Sequence, residues 1–212
     1  MSALKRIRKC LLLAKQAAVA VLMALAVLGA AGAYAQSAVL KLPDISQHAR
    51  VTQRIGLTDI TIDYSRPAVR GRKIVGGVLA YGDVWRAGAN FNTTIELGDA
   101  ATIEGQPLAK GVYGLHMIPG QSSWTVIFSR NSTSWGSFTY DQAEDAVRVT
   151  VKPRAIDPQE VLSYDFSELT PRSAVVRMRW ERVEVPFRIE LDTRELVAQN
   201  LRNQLRSRAL SE

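Results

Sequence analysis

Hydrophobic and polar residues alternate with a period of two along most of the chain beyond residue 50. Between positions 60 and 65, for example, Ile60, Ile62 and Tyr64 are separated by polar residues. Comparable patterns occur at 124–128, 147–151, 176–180 and 183–191. Such segments have one apolar and one polar face, which is typical of antiparallel strands with one buried side. Further strands are expected near residues 50–55, 93–97, 101–104, 112–118 and 161–166.

Glycine and proline separate these short segments, for instance at Gly56, Gly105 and Gly120. Many short strands without intervening helices predict an all-β fold, an antiparallel β-sandwich or jelly-roll-like domain over residues 51–191. Residues 36–50 are expected to form an extended lead-in to it. Pro186 lacks a backbone N–H, so its strand is expected to lie at a sheet edge or to contain a bulge there.

One helix is predicted, over residues 192–212 at the C-terminus. Asp192 or Thr193 can cap it, and an aliphatic residue then recurs every four positions. The stripe consists of Val197, Leu201 and Leu205, and the arginines around it are Arg194, Arg202, Arg206 and Arg208. Two interpretations stay open. The helix either docks its narrow stripe on the sandwich or makes peripheral contact with anionic lipid or a partner.

Residues 1–35 have the three parts of a secretory signal peptide. A basic region extends to about Lys15, an apolar region covers residues 17–31, and residues 33–35 read Ala-Tyr-Ala, an A-x-A cleavage site. The apolar stretch is almost long enough to act as an uncleaved membrane anchor. The small residues at its end favour cleavage, which would leave Gln36 first. The sequence therefore predicts an exported protein, periplasmic or secreted, without a transmembrane span after cleavage.

Most of the net charge of the chain belongs to this N-terminal segment. The whole sequence has 27 basic and 20 acidic residues, a formal net charge of +7. Five basic residues lie within residues 1–35, so 22 basic and 20 acidic residues would remain after cleavage, a net charge of +2. A nearly neutral chain lacks the basic surface that nucleic-acid binding requires. We therefore expect no nucleic-acid partner.

The sequence offers little of the usual catalytic or metal-binding chemistry. Cys10 is the only cysteine and precedes the cleavage site, so the mature chain would have no disulfide, thiol nucleophile or thiolate ligand. Its two histidines are His48 and His116, and the second alternates onto an apolar face, which favours a hydrogen-bonded core residue. Phosphate-loop, zinc-protease and serine-hydrolase motifs are absent. We expect no metal and no cofactor.

Residues 63–94 interrupt the alternation and concentrate glycine, proline, arginine and aromatic residues. A long loop on a rigid sheet is a common place for binding residues. Arginine forks suit carboxylate or phosphate, and aromatic faces suit a sugar ring or a cation. Arginines in such loops also bond to carbonyl groups and hold the loop itself, so that alternative stays open. The candidate ligand-binding residues are Arg66, Arg72, Tyr81, Trp85, Arg86 and Asn90.

Several short motifs in order along the chain resemble the exported bacterial family called domain of unknown function 2911. They are DYSRP at 63–67, GRKI at 71–74, YGDVWRAGAN at 81–90, GVYGL at 111–115, IPG at 118–120, WTVIF at 124–128 and RVTV at 148–151. The resemblance extends from about residue 51 to residue 191. It implies a β-rich fold and an envelope location, and it implies no particular activity.

Two functional hypotheses follow from these observations. The first is a non-catalytic binding or scaffolding module for a small anionic ligand, a glycan or an envelope protein, held by the 63–94 segment. The alternative is a metal-free hydrolase or isomerase in which Asp83 acts as an acid and Arg86 as an electrostatic stabiliser. That alternative needs a buried carboxylate beside a pocket. The scarcity of acid–base groups favours the first hypothesis and leaves open whether the protein is an enzyme.

Overall fold

The structure is a computed structural model that describes residues 42–209, with side chains described up to residue 206. The predicted signal peptide, the first part of the lead-in and residues 210–212 lie outside this range. Within it, the elements are β1 (Gln47–Ile55), β2 (Thr58–Arg66), β3 (Thr94–Leu97), β4 (Ala101–Ile103), β5 (Gln106–Leu108), β6 (Gly111–Ile118), β7 (Trp124–Ser129), β8 (Asp145–Val151), β9 (Arg154–Ser167), β10 (Ser173–Glu190) and α1 (Thr193–Ala209).

The strands form two antiparallel sheets. One has six strands in the order β1-β2-β3-β6-β7-β8, and the other has four in the order β5-β4-β10-β9. Their facing apolar side chains form one continuous core, in which Phe128 of the first sheet meets Phe187 of the second edge to face, with ring centroids 5.7 Å apart. The alternating pattern supplies this core, because every second residue of each strand points inward. The predicted all-β antiparallel sandwich with a C-terminal helix is confirmed.

The strand β10 is one long strand where the sequence pattern predicts two shorter ones. Its inward-facing residues have even numbers up to Trp180 and odd numbers from Val185, so the phase changes between them. The change occurs at Glu181, which has a positive φ of 56° and a register shift against β9 on each side. Pro186 follows this bulge and lies between the residues of β10 that pair with β9 and those that pair with β4. Its missing N–H therefore interrupts neither ladder.

Two long connections leave the six-stranded sheet. The β2–β3 loop (residues 67–93) covers one end of the sandwich and crosses to β9, where Ala68 forms an isolated bridge with Val161. The β7–β8 loop (residues 130–144) contains one short 3-10 turn, Gln142–Glu144. The alternation fails in both loops because their residues follow the surface instead of a ladder.

Asp192 caps the N-terminus of α1. Its carboxylate accepts a hydrogen bond from the N–H of Glu195 at 3.1 Å. Its first turn is held to the sandwich because Leu196 packs against the core. The stripe of Val197, Leu201 and Leu205 is exposed, so contact of this stripe with lipid or a partner stays a prediction. Across residues 42–209, no helix combines the length and the apolarity needed to span a membrane.

Candidate functional site

Arg86 is held in place by the backbone on both of its sides. Its neighbour Trp85 exchanges two backbone hydrogen bonds of 2.8 Å with Met117 of β6. The loop therefore continues the sheet beyond the N-terminal end of β3. Its other neighbour, Ala87, is fully buried, and its carbonyl accepts hydrogen bonds from the hydroxyls of Tyr164 (2.7 Å) and Thr93 (3.1 Å). The base of the Arg86 side chain is therefore as fixed as a strand residue.

The Arg86 guanidinium is half-buried and has no acidic partner in the part of the chain that the structure describes. Burial lowers the pKa of Arg86, and no nearby carboxylate offsets this effect. Its Nη1 atom is buried without a hydrogen-bond acceptor among those residues. The guanidinium carbon lies 5.2 Å from the centroid of the Trp135 ring, a cation–π contact. A buried donor of this kind costs free energy unless an acceptor reaches it.

Gly136 of the β7–β8 loop leaves the space that this guanidinium occupies. A Cβ at position 136 would lie 2.2 Å from Arg86 Nη1, and the φ of Gly136 is +75°, a conformation that side chains rarely adopt. The two long loops therefore meet at Arg86, and glycine is needed at their point of closest approach.

Two adjoining cavities share Arg86 as part of their walls. The first, here called the Ser137 cavity, has a volume of about 310 Å³ and includes Asp83, Ser137 and Phe138. The second, the Trp180 cavity, has a volume of about 380 Å³ and includes Trp180. The residues that line both cavities are Val78, Leu79, Trp85 and Arg86.

The Trp180 cavity is cationic and aromatic. Its lining includes Arg70, Arg72 and Arg86 and no acidic residue. Trp85 stacks on Trp180 with centroids 5.7 Å apart and an interplanar angle of 21°. Trp180 is only 3% exposed, and its indole N–H has no hydrogen-bond acceptor among the described residues. The walls of this cavity thus contain two buried donors without acceptors, on Arg86 and on Trp180.

The Ser137 cavity has a mixed lining and an exposed aromatic rim. Asp83 is exposed beside Arg86, and Ser137 adds a hydroxyl. Phe138 is 79% exposed and stacks on Trp135, which is 57% exposed, with ring centroids 5.7 Å apart and an interplanar angle of 12°. The pair forms a flat apolar surface at the cavity, continuous with the cation–π contact on Arg86.

Buried polar contacts hold the β7–β8 loop that carries these aromatic residues. His116 is 2% exposed, and its Nδ1 shares a hydrogen bond of 2.9 Å with the Ser137 hydroxyl. Further along, the Tyr140 hydroxyl donates to the Asp145 carboxylate at 2.7 Å and accepts from Arg148 at 3.1 Å. Burial and the bond to Asp145 raise the pKa of Tyr140 to about 12, so it remains a donor.

Protonation of His116 is expected to loosen this loop in acid. Burial lowers the pKa of His116 from 6.5 to about 4, so the unfolded chain binds its proton first as the pH falls. The stabilisation is complete above pH 6.5 and is lost towards pH 4, at up to about 1.4 kcal/mol per pH unit. Denaturant unfolding from pH 7 to pH 4 should therefore show a steeper loss of stability in wild type than in His116→Asn. Equal slopes for the two proteins would contradict this role.

Two of the six predicted site residues are placed at both cavities, and the others mainly hold the loop. Trp85 and Arg86 line both cavities. Arg66 donates to the carbonyl of Leu162 at 2.9 Å, and Asn90 donates to that of Ser46 at 3.0 Å.

The remaining two predicted residues also make contacts within the loop. Arg72 donates to the carbonyls of Ala68 (2.7 Å) and Val69 (3.0 Å) while lining the Trp180 cavity. Tyr81 is exposed, and its ring packs over Gly76, outside the linings of both cavities.

Sequence reasoning missed the residues that the second loop and β10 bring to the site. The β7–β8 loop contributes Trp135, Ser137 and Phe138, in a stretch whose run Trp-Gly-Ser-Phe interrupts the alternation much as residues 63–94 do. That interruption is a signal that could have marked the loop. Trp180 reads as an ordinary inward strand residue, and nothing in the pattern distinguishes it from its neighbours.

Other concavities lack this chemistry. Larger and more open ones of about 910 and 810 Å³ lie at the root of α1, and both combine Arg172 and Arg194 with Glu190. Their opposite charges offset each other, and no aromatic residue lines them. Among residues 42–209, no three His, Cys, Asp or Glu side chains are grouped so that they could hold a metal ion.

Fold and site together define a two-sheet antiparallel sandwich with a cationic, tryptophan-lined cavity under its longest loop. The chain belongs to the family described as a protein of unknown function (DUF2911), whose sequence model matches residues 46–189. The matched range includes every residue that lines the two cavities, apart from Ile45 of the Trp180 cavity. No curated protein and no solved structure matches the chain.

Proposed function

We propose that this protein is an exported, non-catalytic binding module that takes a small anionic ligand at Arg86. The observation that carries the proposal is the Arg86 guanidinium, which lines both cavities and has no acidic partner within the described chain. A carboxylate or phosphate in these cavities would accept hydrogen bonds from the guanidinium and neutralise its charge.

The surroundings of Arg86 support an anion over a neutral ligand. Arg70 and Arg72 add positive charge to the Trp180 cavity, and its lining contains no acidic residue. Low local dielectric strengthens such contacts relative to an exposed arginine.

The acid–base alternative has less support. It requires a carboxylate whose proton affinity burial has raised, whereas Asp83 is exposed at the rim of the Ser137 cavity. The exposed Asp83 carboxylate is available to accept hydrogen bonds from a ligand. This geometry therefore supports a binding module better than it supports an acid–base catalyst.

The proposal is tested by titrating the chain without residues 1–35 with acetate and with inorganic phosphate. Trp85, Trp135 and Trp180 surround Arg86, so binding should change the intrinsic fluorescence, and calorimetry should confirm one site. We expect saturable binding in which the two anions compete and which weakens as sodium chloride is added. Absence of saturation with both anions at low ionic strength would reject an anion site. A native N-terminus at Gln36, measured by mass spectrometry, tests the export part.

A further inference from the structure

We infer that the anion is carried by a sugar, so that the ligand is a uronic acid or a sugar phosphate that spans both cavities. The inference rests on the proposed anion site and adds the Ser137 cavity to it. The anionic group would contact Arg86, and the pyranose ring would lie in the Ser137 cavity against Phe138.

The exposed aromatic rim is the first observation for a sugar ring. Phe138 and Trp135 stack nearly parallel and are both more than half exposed, so a broad apolar face remains open to solvent beside the cavity. The C–H groups on one face of a pyranose are apolar and can pack on such a ring, which removes both surfaces from water. Most large apolar side chains in this sandwich are buried, so an exposed stacked pair at a cavity indicates a contact surface.

The polar groups of the Ser137 cavity distinguish a sugar from a plain aromatic acid. Asp83 and Ser137 line the cavity together with Phe138. An aromatic carboxylate would bring a second negative charge near Asp83 and would offer it no donor. Sugar hydroxyls donate to a carboxylate and both donate to and accept from a serine hydroxyl. A ligand with one anionic group and several hydroxyls therefore satisfies both ends of the site.

The relation of the two cavities fits one ligand. They share Val78, Leu79, Trp85 and Arg86 as walls, so they adjoin at the arginine. Their volumes of about 310 and 380 Å³ are each near the lower limit for small-molecule sites. A monosaccharide acid has its charged group at one end and its hydroxyls along the ring, and the Ser137 cavity combines Arg86 with Asp83, Ser137 and Phe138.

The test compares D-glucuronate, glucose 6-phosphate, D-glucose, benzoate and acetate by calorimetry on the same protein. We expect glucuronate or glucose 6-phosphate to bind about tenfold or more tightly than acetate, glucose and benzoate. The stronger of the two sugars identifies the anionic group as carboxylate or phosphate. If benzoate binds as tightly as the better anionic sugar, the sugar inference is overturned.

A matched pair of variants locates the sugar ring. Phe138→Ala should weaken binding of the anionic sugar about tenfold and weaken acetate binding by a much smaller factor. Phe91→Ala removes another phenylalanine that is 70% exposed but lies outside both cavity linings, and it should change neither affinity. If both variants bind the sugar as tightly as wild type, the sugar inference is overturned. Acetate binding in the same samples would still uphold the anion site. Failure of every anion to bind would reject the anion site as well.

Discussion

Replacing Arg86 by Met is expected to weaken the affinity for anions about 100-fold or more without destabilising the protein. Methionine keeps an unbranched apolar stem like that of arginine and has no hydrogen-bonding donor to bury. The change removes a buried unsatisfied donor that costs about 1–3 kcal/mol, and it loses a cation–π contact with Trp135 worth about 0.5–1 kcal/mol. The free energy of unfolding should therefore stay the same or rise by about 1 kcal/mol.

Phosphate titration and urea unfolding of the same samples measure the two effects. Arg130→Met is the control, since Arg130 is an exposed arginine that donates to the carbonyl of Asp145 and lines neither cavity. It should retain phosphate binding. A loss of more than about 2 kcal/mol in Arg86→Met would assign Arg86 to loop scaffolding and contradict its role as a ligand-binding residue.

Glu181→Ala is expected to destabilise the protein by about 3 kcal/mol, because Glu181 bonds the β2–β3 loop to β10. Its two carboxylate oxygens accept hydrogen bonds from the backbone N–H groups of Ile74 (3.2 Å) and Val75 (3.1 Å). Ile74 is fully buried, so its N–H would lose a charged partner in a place where water has little access. Anion binding should weaken as well, because the loop beyond these residues lines both cavities.

Glu160→Ala provides the matched comparison for this anchor. The Glu160 carboxylate also accepts a bond from the same loop, from the N–H of Arg70 at 2.8 Å, but both residues are exposed. Water can replace that bond, so urea unfolding should show a loss of about 1 kcal/mol or less. Similar losses for the two variants would show that the Glu181 bulge does not fix the loop.

The Glu181 bulge connects the fold to the site. Trp180 is the last inward-facing residue before the phase shift and stacks on Trp85, and Glu181 at the bulge reaches the loop backbone. A regular strand would also place residues 180 and 181 on opposite faces. Its inward-facing residues would, however, keep even numbers beyond position 181. The positive φ of 56° at Glu181 is held by the bonds of its own side chain to Ile74 and Val75.

The sequence alone determined the fold class and marked Arg86 as a candidate site residue. Alternation with a period of two is a local property, and it is enough to show which residues of each strand face the core. The clustering of arginine, glycine and aromatic residues at 63–94 likewise indicated the loop that carries Trp85 and Arg86. A phase change such as the one between Trp180 and Val185 is also visible in the residues, but whether it separates two strands or bends one depends on the partner strand.

Tertiary structure alone distinguished Arg86 from the other two predicted arginines of that loop. Arg66 and Arg72 have the same side chain as Arg86, yet they reach the carbonyls of Leu162 and of residues 68 and 69, whereas Arg86 meets no acceptor on its inner nitrogen. The stacked residues Trp135 and Phe138 lie about 50 positions after Arg86 in the sequence. Hydrogen-bond satisfaction depends on where distant carbonyl groups lie in space, and residue order does not encode that locally.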